Sequence, residues 1–314
     1  MVYQDLEKNS SPLVSLFIFT YNQENIISKT IKSLLEQITT FHYEIIIAED
    51  CSKDDTLNVC IEYFKKYPDI IRVIHNEQNK GIIKNFHESI SDYARGKYIA
   101  CVAGDDWWHV KDKIQKQVDF LEAHQNYDMV FSDTLIYSQS CNKYLKYRPI
   151  EDSADFSQLI IKNCIPALTT CYTKKIFDAY VKDVDPVNVN FPGEDYPMWI
   201  WVAYHSKIHH IKEPLTTYRL QSETLSHSSS KTKRVQFEID RLDIKLFFYH
   251  HCGRDNPAIL HDIYLMFYFL TLNTASEAHD IQIEKDRDNF FKENKYYLLF
   301  FLSISNRLLV VCKV

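Results

Sequence analysis

Short apolar runs alternate with amphipathic segments through the first half of the chain. The runs are rich in β-branched and aromatic residues, and they predict strands over residues 14–19, 44–48, 70–74, 98–103 and 127–131. The segments between them predict helices over 25–35, from about 55 to 64, 84–94 and 111–124. Strands that alternate with helices of this length predict an α/β fold with a doubly wound, mostly parallel sheet.

The second half of the chain follows a less regular pattern. Residues 150–219 contain loops and one clear helix over 196–204, and the chain from Lys231 onward is predicted to be helical. We therefore expect one α/β domain over residues 1–228 and a helical C-terminal region over 229–314. The tail over 296–311 is strongly apolar. Packing on the protein's own core is the default interpretation of this tail, and an interfacial membrane helix is the alternative.

Composition excludes several classes of protein. The chain has 314 residues, of which 46% are hydrophobic, so it can bury a sizeable core. Its net charge of −6 argues against a nucleic-acid partner. Only five glycines occur, and they form neither a GxGxxG nor a Walker A phosphate loop. We predict no signal peptide and no transmembrane helix, and the eight scattered cysteines predict free thiols.

Acidic residues follow several of the predicted strands. Asp50 comes after the second strand, Gly104, Asp105 and Asp106 come after the fourth, and Asp133 comes after the fifth. Because the carboxyl ends of parallel strands share one edge of a sheet, we expect these acids to converge there. Two adjacent carboxylates repel each other unless a cation offsets their charge, and their oxygens suit Mg²⁺ or Mn²⁺. A solvated turn with two surface acids is the alternative.

Six short motifs occur in order along the chain. They are Phe19-Thr20-Tyr21-Asn22, Glu49-Asp50-Cys51-Ser52-Lys53-Asp54-Asp55-Thr56, Asn79-Lys80-Gly81, Gly96-Lys97-Tyr98-Ile99, Gly104-Asp105-Asp106 and Gly193-Glu194-Asp195-Tyr196-Pro197-Met198-Trp199. In this order and spacing they resemble the motifs of the family 2 glycosyltransferases, from about Val14 to about His227. The resemblance implies the GT-A fold and an inverting, metal-dependent enzyme of the bacterial surface-polysaccharide type, with residues 1–228 as its catalytic domain.

The same resemblance implies roles for individual residues. The residues expected to bind the nucleotide are Thr20, Tyr21, Asn22, Asp50, Lys80 and Asp105. Asp50 would accept a hydrogen bond from the uracil imide, because a carboxylate is an acceptor only. Asp106 would bind the Mg²⁺ or Mn²⁺ ion, and Asp195 would be the catalytic base with Glu194 beside it. The candidate contacts to the diphosphate or the acceptor are Trp107, Trp199, Arg219 and His227.

Simpler interpretations stand beside several of these roles. Capping of the helix that follows is the alternative for Asp195, and Trp107 and Trp199 are equally suited to the core. The chain also departs from the family pattern at two positions. Cys51 stands where the family usually has glycine or another small residue, and Gln221 stands where a histidine is common.

We therefore expect a glycosyltransferase that transfers a sugar from a nucleotide-sugar donor, a UDP-sugar first, to a glycan or lipid-linked saccharide. A sugar nucleotidyltransferase is one rival, but it would need a glycine-rich phosphate loop. A non-catalytic binding module on the same fold is the other, but it would lack an acid that this chain retains. We expect a cytoplasmic protein; peripheral attachment to the inner face of the plasma membrane and a homodimer remain open.

Overall fold

The computed structural model describes residues 1–3, 11–150, 153–221, 230–252 and 256–276. The strands are β1 (Val2–Tyr3), β2 (Val14–Thr20), β3 (Tyr43–Glu49), β4 (Ile71–His75), β5 (Tyr98–Ala103), β6 (Trp107–Trp108), β7 (Tyr127–Ser138), β8 (Lys143–Tyr144), β9 (Cys171–Thr173) and β10 (Lys207–Leu220). The helices are α1 (Ile27–Leu35), α2 (Thr56–Lys66), α3 (Gly81–Tyr93), α4 (Lys113–Ala123), α5 (Phe156–Leu159), α6 (Lys174–Val184), α7 (Pro186–Val189), α8 (Tyr196–His205), α9 (Lys231–His251) and α10 (Pro257–Ser276), with a 3₁₀ turn at Ala167–Thr169.

The strands form one mixed sheet in the order β1-β4-β3-β2-β5-β9-β7-β10-β6, with β8 beside β7. Its centre is parallel: β2 pairs in parallel with β3 and β5, β3 with β4, and β7 with β10. The short strand β9 runs antiparallel between β5 and β7. Every residue of β2 is buried, as expected for a central parallel strand that is covered on both faces. The prediction of a mostly parallel α/β sheet is confirmed.

Two strands of the sheet differ from the sequence prediction. β7 continues to Ser138, well beyond the predicted end at residue 131, so Asp133 lies inside a strand. The expectation that Asp133 ends a strand is therefore wrong. Its buried carboxylate accepts hydrogen bonds from Tyr147, from the main-chain N–H of Ile150 and from His210 Nε2. The partner strand β10 was not predicted at all.

The chain divides into two units. The first comprises Met1–Leu159 and Asn163–Gln221, and it contains the whole sheet. The second comprises Ile160–Lys162 and Ser222–Val314; within it, α9 and α10 pack against each other. Among the described helices, none has the length and apolarity needed to span a bilayer. The cysteines in the described ranges are all free thiols. The apolar tail over 296–311 and His227 lie outside the described residues.

Candidate active site

Two loops at the carboxyl ends of β2 and β3 are joined by hydrogen bonds. The main-chain N–H of Asn22 donates to Ser52 Oγ at 2.9 Å, and the N–H of Lys53 donates to Asn22 Oδ1 at 2.7 Å. Asn22 has φ of +53°, a left-handed conformation that asparagine tolerates better than most residues. Thr20 is buried, whereas Tyr21 is 40% exposed. Of this predicted nucleotide-binding motif, Tyr21 and Asn22 are therefore the exposed residues.

Cys51 also adopts a left-handed conformation, with φ of +60°. A residue with a Cβ is disfavoured there and glycine is not, which gives a physical reason for the small residue usual at this position in the family. The Sγ atom of Cys51 lies 3.5 Å from the main-chain oxygen of Glu77. The cysteine at position 51 therefore adds a side chain to the loop and leaves the turn itself in place.

Asp50 is the most fully bonded acid of the predicted site. It is 4% exposed. Its Oδ1 accepts hydrogen bonds from Asn76 Nδ2 at 2.8 Å and from the main-chain N–H of Lys80 at 2.9 Å. Its Oδ2 accepts one from the N–H of Gly81 at 2.9 Å. A carboxylate offers about four lone pairs, so the described partners leave Oδ2 with capacity for one more donor.

Lys80 reaches this carboxylate through its backbone and not through its side chain. Its Nζ atom lies 2.8 Å from Glu88 Oε2 in an exposed ion pair. Its main-chain N–H, with that of Gly81, belongs to the start of α3. Asp50 therefore supplies acceptors for two helix-start N–H groups that the helix itself cannot satisfy. This structural role is one that the sequence did not predict for Asp50.

Asp105 and Asp106 follow β5 in a turn held by α1. The Thr30 hydroxyl lies 2.8 Å from the main-chain oxygen of Gly104 and 2.6 Å from that of Asp106. Asp106 is 4% exposed, and its Oδ1 accepts a hydrogen bond from the main-chain N–H of Arg219 at 2.7 Å. Burial, and then the Asp105 carboxylate, raise the pKa of Asp106 well above its usual range. Burial also raises the pKa of Asp105.

Residues at the end of β10 and directly after it contact this acid pair. Arg219 Nε donates to the main-chain oxygen of Asp105 at 2.8 Å, and Gln221 Nε2 donates to Asp105 Oδ2 at 2.7 Å. Gln221, which departs from the family pattern, thus contacts a predicted nucleotide-binding residue directly. The guanidinium of Arg219 also lies over the Trp107 ring, with Cζ 5.0 Å from the ring centroid. The structure brings Asp105, Asp106, Trp107 and Arg219 together.

Glu194 and Asp195 stand at the start of α8. Asp195 is the N-cap residue, its Oδ1 accepts from the N–H of Tyr196 at 2.6 Å, and a proline lies in the first turn. Burial and the Asp195 carboxylate raise the pKa of Glu194. Trp199, one turn on, is 1% exposed and packs edge-on against Tyr172 with centroids 5.9 Å apart. The Trp199 ring therefore has no face open to a sugar in this structure, which favours the core interpretation.

The acid pair fits a divalent cation on chemical grounds. Asp106 is buried and the adjacent Asp105 is half-buried. The nearby charge of Arg219 only partly offsets the effect of burial on their pKa values, which stay raised, and a cation would favour the ionised form of both carboxylates. Within the described ranges, no group of three or more His, Cys, Asp or Glu side chains is arranged to hold a metal. The chain therefore offers one or two oxygen ligands here, and Mg²⁺ commonly takes its remaining ligands from substrate phosphates and water.

Sequence reasoning missed Thr30 and Asn76, which complete these contacts, and it missed the contact that Gln221 makes. Asn76 directly follows β4 as Asp50 directly follows β3, so its position at a strand end was the available signal. Thr30 lies inside the amphipathic pattern of α1, where a polar residue facing the core was the signal. Gln221 was noted only as a departure from the family pattern, and its contact with Asp105 could not be predicted because it follows a strand that was not predicted.

Comparison with known proteins identifies the class. Residues 15–179, about half of the chain, match the model of glycosyl transferase family 2. The chain therefore belongs to glycosyl transferase family 2. An uncharacterized protein of Mycobacterium tuberculosis (strain ATCC 25618 / H37Rv) is 28% identical over 72% of this chain, and the match spans 64% of that relative, less than two thirds. The Escherichia coli protein named UDP-Glc:alpha-D-GlcNAc-diphosphoundecaprenol beta-1,3-glucosyltransferase WfgD is 24% identical over 72% of this chain and 85% of its own length.

Solved structures show the same fold. S. aureus TarS 1–349 in complex with UDP-GlcNAc superposes with a TM-score of 0.64 at 18% identity, covering 86% of this chain and 77% of that one. A mannosyltransferase from Pyrobaculum calidifontis in complex with GDP-Man and Mn²⁺ superposes with a TM-score of 0.59 at 14% identity, covering 96% of this chain and 86% of that one. These likenesses establish the GT-A-type fold of the chain.

Proposed function

We propose that this chain is an inverting glycosyltransferase that transfers a sugar from a UDP-sugar to a hydroxyl of a glycan or lipid-linked saccharide. The observation that carries the proposal is the acid pair at the carboxyl end of β5, in which Asp106 is buried, Asp105 is half-buried and both pKa values are raised. Such a pair is costly in a folded chain unless a ligand completes it. Family membership and structural relatives that hold UDP-GlcNAc or Mn²⁺ support the same conclusion.

The donor would lie across the carboxyl ends of the central strands. Asp50 Oδ2 would accept the imide N–H of uracil, and Tyr21, Asn22 and Lys80 would border the nucleoside. Asp106, with Asp105 beside it, would hold Mg²⁺ or Mn²⁺. When bound there, the cation would neutralise charge on the departing diphosphate.

Asp195 would carry out the proton transfer. In this proposal it accepts the proton of the acceptor hydroxyl as the hydroxyl oxygen bonds to the anomeric carbon, while the bond from that carbon to the diphosphate oxygen breaks and UDP leaves. The acceptor oxygen and the diphosphate lie on opposite faces of the sugar, so the configuration inverts. Glu194, which is held toward its neutral form, would donate a hydrogen bond to the acceptor. Association with a membrane surface and formation of a homodimer stay predictions.

Two amide variants test this assignment by failing differently. UDP with Mn²⁺ at a hundredfold excess over Kd should stabilise the native chain by about 2.7 kcal/mol. We expect Asp106→Asn to lose this metal-dependent stabilisation. We expect Asp195→Asn to keep it and to lose sugar transfer by roughly a hundredfold or more, the range for a general base. Asp119→Asn, an exposed acid of α4, is the matched control and should change neither.

Calorimetry of UDP binding beside turnover of nucleotide sugars separates the outcomes. Equal stabilisation by UDP with and without metal would contradict the metal assignment. If Asp195→Asn abolished UDP binding as Asp106→Asn is expected to do, Asp195 would belong to the donor site and another group would be the base. If GDP stabilised the chain more than UDP, the assignment of Asp50 to uracil would be wrong.

A further inference from the structure

A second, cationic pocket lies beside the acid pair, between α1 and the β6–β10 strand pair. Its volume is about 630 Å³, and Lys29, Trp107, Tyr137 and Arg219 line it. The Nζ atom of Lys29 lies 3.2 Å from the Trp107 ring centroid, and the Tyr137 ring meets Trp107 edge-on at 5.6 Å. Neither Asp50 nor the acid pair is among the residues that border the pocket. The pocket is therefore adjacent to the proposed donor site and distinct from it.

Positive charge exceeds negative charge along the pocket wall. The cations are Lys29, Lys32, Lys111 and Arg219, and the acid is Glu36. Glu36 is paired with Lys111 at 3.3 Å. Within the part of the chain that the structure describes, Lys29 and Lys32 form no ion pair with a carboxylate. They are three residues apart on α1, so they lie on the same face of that helix.

Lys29 and Arg219 share one aromatic ring. Lys29 Nζ lies 3.2 Å and Arg219 Cζ 5.0 Å from the centroid of Trp107. The ring attracts both cations, but the cations repel each other. Burial, and then the charge of Arg219, lower the pKa of Lys29. An anion placed between the two cations would remove this repulsion and would add charge-assisted hydrogen bonds.

The size and donor set of the pocket indicate which anion. Two ammonium groups and one guanidinium offer several charged donors, which suits the several oxygens of a phosphate better than the two of a carboxylate. A volume of about 630 Å³ exceeds that of a phosphate ion and accommodates a phosphate ester together with a neighbouring group. Arg219 connects the pocket to the acid pair, because its main-chain N–H donates to Asp106 Oδ1.

We propose that the pocket formed by Lys29, Lys32, Arg219 and Trp107 binds a phosphate group of the acceptor. This inference rests on the proposed glycosyltransferase function, since it assigns the acceptor substrate a phosphate next to the Asp105–Asp106 pair. The phosphate is that of a lipid-linked diphosphate or of a phosphodiester within a glycan. The two sources share the chemistry that the pocket recognises.

Titration with inorganic phosphate, followed by tryptophan fluorescence in the presence of saturating UDP and Mg²⁺, tests the pocket directly. We expect saturable binding that UDP does not displace. The double variant Lys29→Gln/Lys32→Gln should weaken the phosphate Kd by about tenfold or more, because two charged donors are removed. Lys65→Gln, an exposed lysine of α2, removes the same type of charge elsewhere and should leave the Kd within about twofold.

The single variant Lys32→Gln changes only an exposed side chain and keeps the test valid if the double variant folds poorly; we expect it to weaken phosphate binding too. Competition by a short-chain prenyl diphosphate or by a glycerol phosphodiester then shows which source the pocket accepts, and displacement by either supports the proposal. Absence of phosphate binding, an unchanged Kd in both variants, displacement by UDP, or failure of both competitors would overturn it. If the native chain bound phosphate but did not bind UDP, that result would instead contradict the proposed donor site.

Discussion

Substitution of Asp50 by asparagine separates its role in the fold from its role toward the nucleotide. In the native chain, Oδ1 accepts from Asn76 and Lys80, and Oδ2 accepts from the Gly81 N–H at 2.9 Å. An asparagine that keeps its oxygen at the Oδ1 position places an N–H₂ group opposite the Gly81 N–H. Flipping the amide is worse, because it opposes two donors instead of one.

The size of the effect follows from these contacts. Loss of one hydrogen bond to a charged acceptor costs about 2 kcal/mol, and the Gly81 N–H keeps a second acceptor, Asn79 Oδ1 at 3.1 Å. For a domain of this size, that cost corresponds to a decrease in Tm of roughly 4–8 °C. The same N–H₂ group would also face the imide N–H of uracil, so UDP affinity should fall by roughly a hundredfold. Thermal unfolding and UDP calorimetry measure the two quantities independently.

Asn76→Ala is the matched control for Asp50→Asn. It removes the Nδ2 donor to Asp50 Oδ1 and a second hydrogen bond to Asn85 at 3.0 Å, so it should destabilise the fold by a similar amount. It leaves Oδ2 untouched, and UDP affinity should remain within a few-fold. Equal loss of UDP binding in both variants would show that the effect acts through α3 and not through the base. Unchanged UDP affinity in Asp50→Asn would refute the base contact.

Two further substitutions test the packing and the electrostatics of the first unit. A Cβ added at Gly96 would lie 2.6–2.8 Å from backbone atoms of Val14 and Ser15, so Gly96→Ala should lower the unfolding free energy by about 1–3 kcal/mol. Gly193→Ala is the control and should be neutral, because nothing lies within 4 Å of its added Cβ. Equal urea midpoints for the two variants would contradict this prediction. Burial and a neighbouring carboxylate raise the pKa of Glu194, so the folded chain holds a proton that the unfolded chain releases above about pH 4.3. The free energy of unfolding should therefore fall as pH rises toward the folded-state pKa, by at most about 1.4 kcal/mol per pH unit. In Glu194→Gln the fall should be smaller by this contribution, because Asp105 and Asp106 still add their own. Parallel pH profiles of the two proteins in urea melts would contradict the assignment to Glu194.

The parts of the fold that could be predicted are those where burial leaves a simple pattern. β2 and β5 lie at the centre of the parallel sheet, and their apolar runs gave their positions to within a residue. β10 is largely half-buried over its first eight residues and includes Lys212, Glu213 and Pro214, so neither an apolar run nor an alternation marks it. Its long pairing with β7 is a tertiary contact, and local pattern carries no information about it.

The candidate site divides in the same way. Asp50 and Asp106 could be singled out because each follows a strand that its own apolar run marks. Their partners could not, because Arg219 meets Asp106 across 113 positions of the chain. The structural use of Asp50 at the start of α3 depends on a similar long-range approach. Sequence therefore indicates which acids matter, and the fold determines what contacts them.

Acidic side chains at the two ends of the central strands differ in whether basic side chains neutralise them. At the amino end of β3, Glu44 Oε2 is paired with Arg72 at 3.1 Å and Arg95 at 2.6 Å, and Oε1 accepts from the Ser15 hydroxyl at 2.7 Å. At the carboxyl end of β5, Asp105 and Asp106 repel each other, and among the described residues neither forms an ion pair with a Lys or Arg side chain. Since the same fold supplies two arginines to one buried carboxylate, the unbalanced charge at the other end is not a general property of its interior. A buried charge left incomplete destabilises the chain by itself and is characteristic of ligand sites, so the Asp105–Asp106 turn is where a cation and a diphosphate would complete the electrostatics.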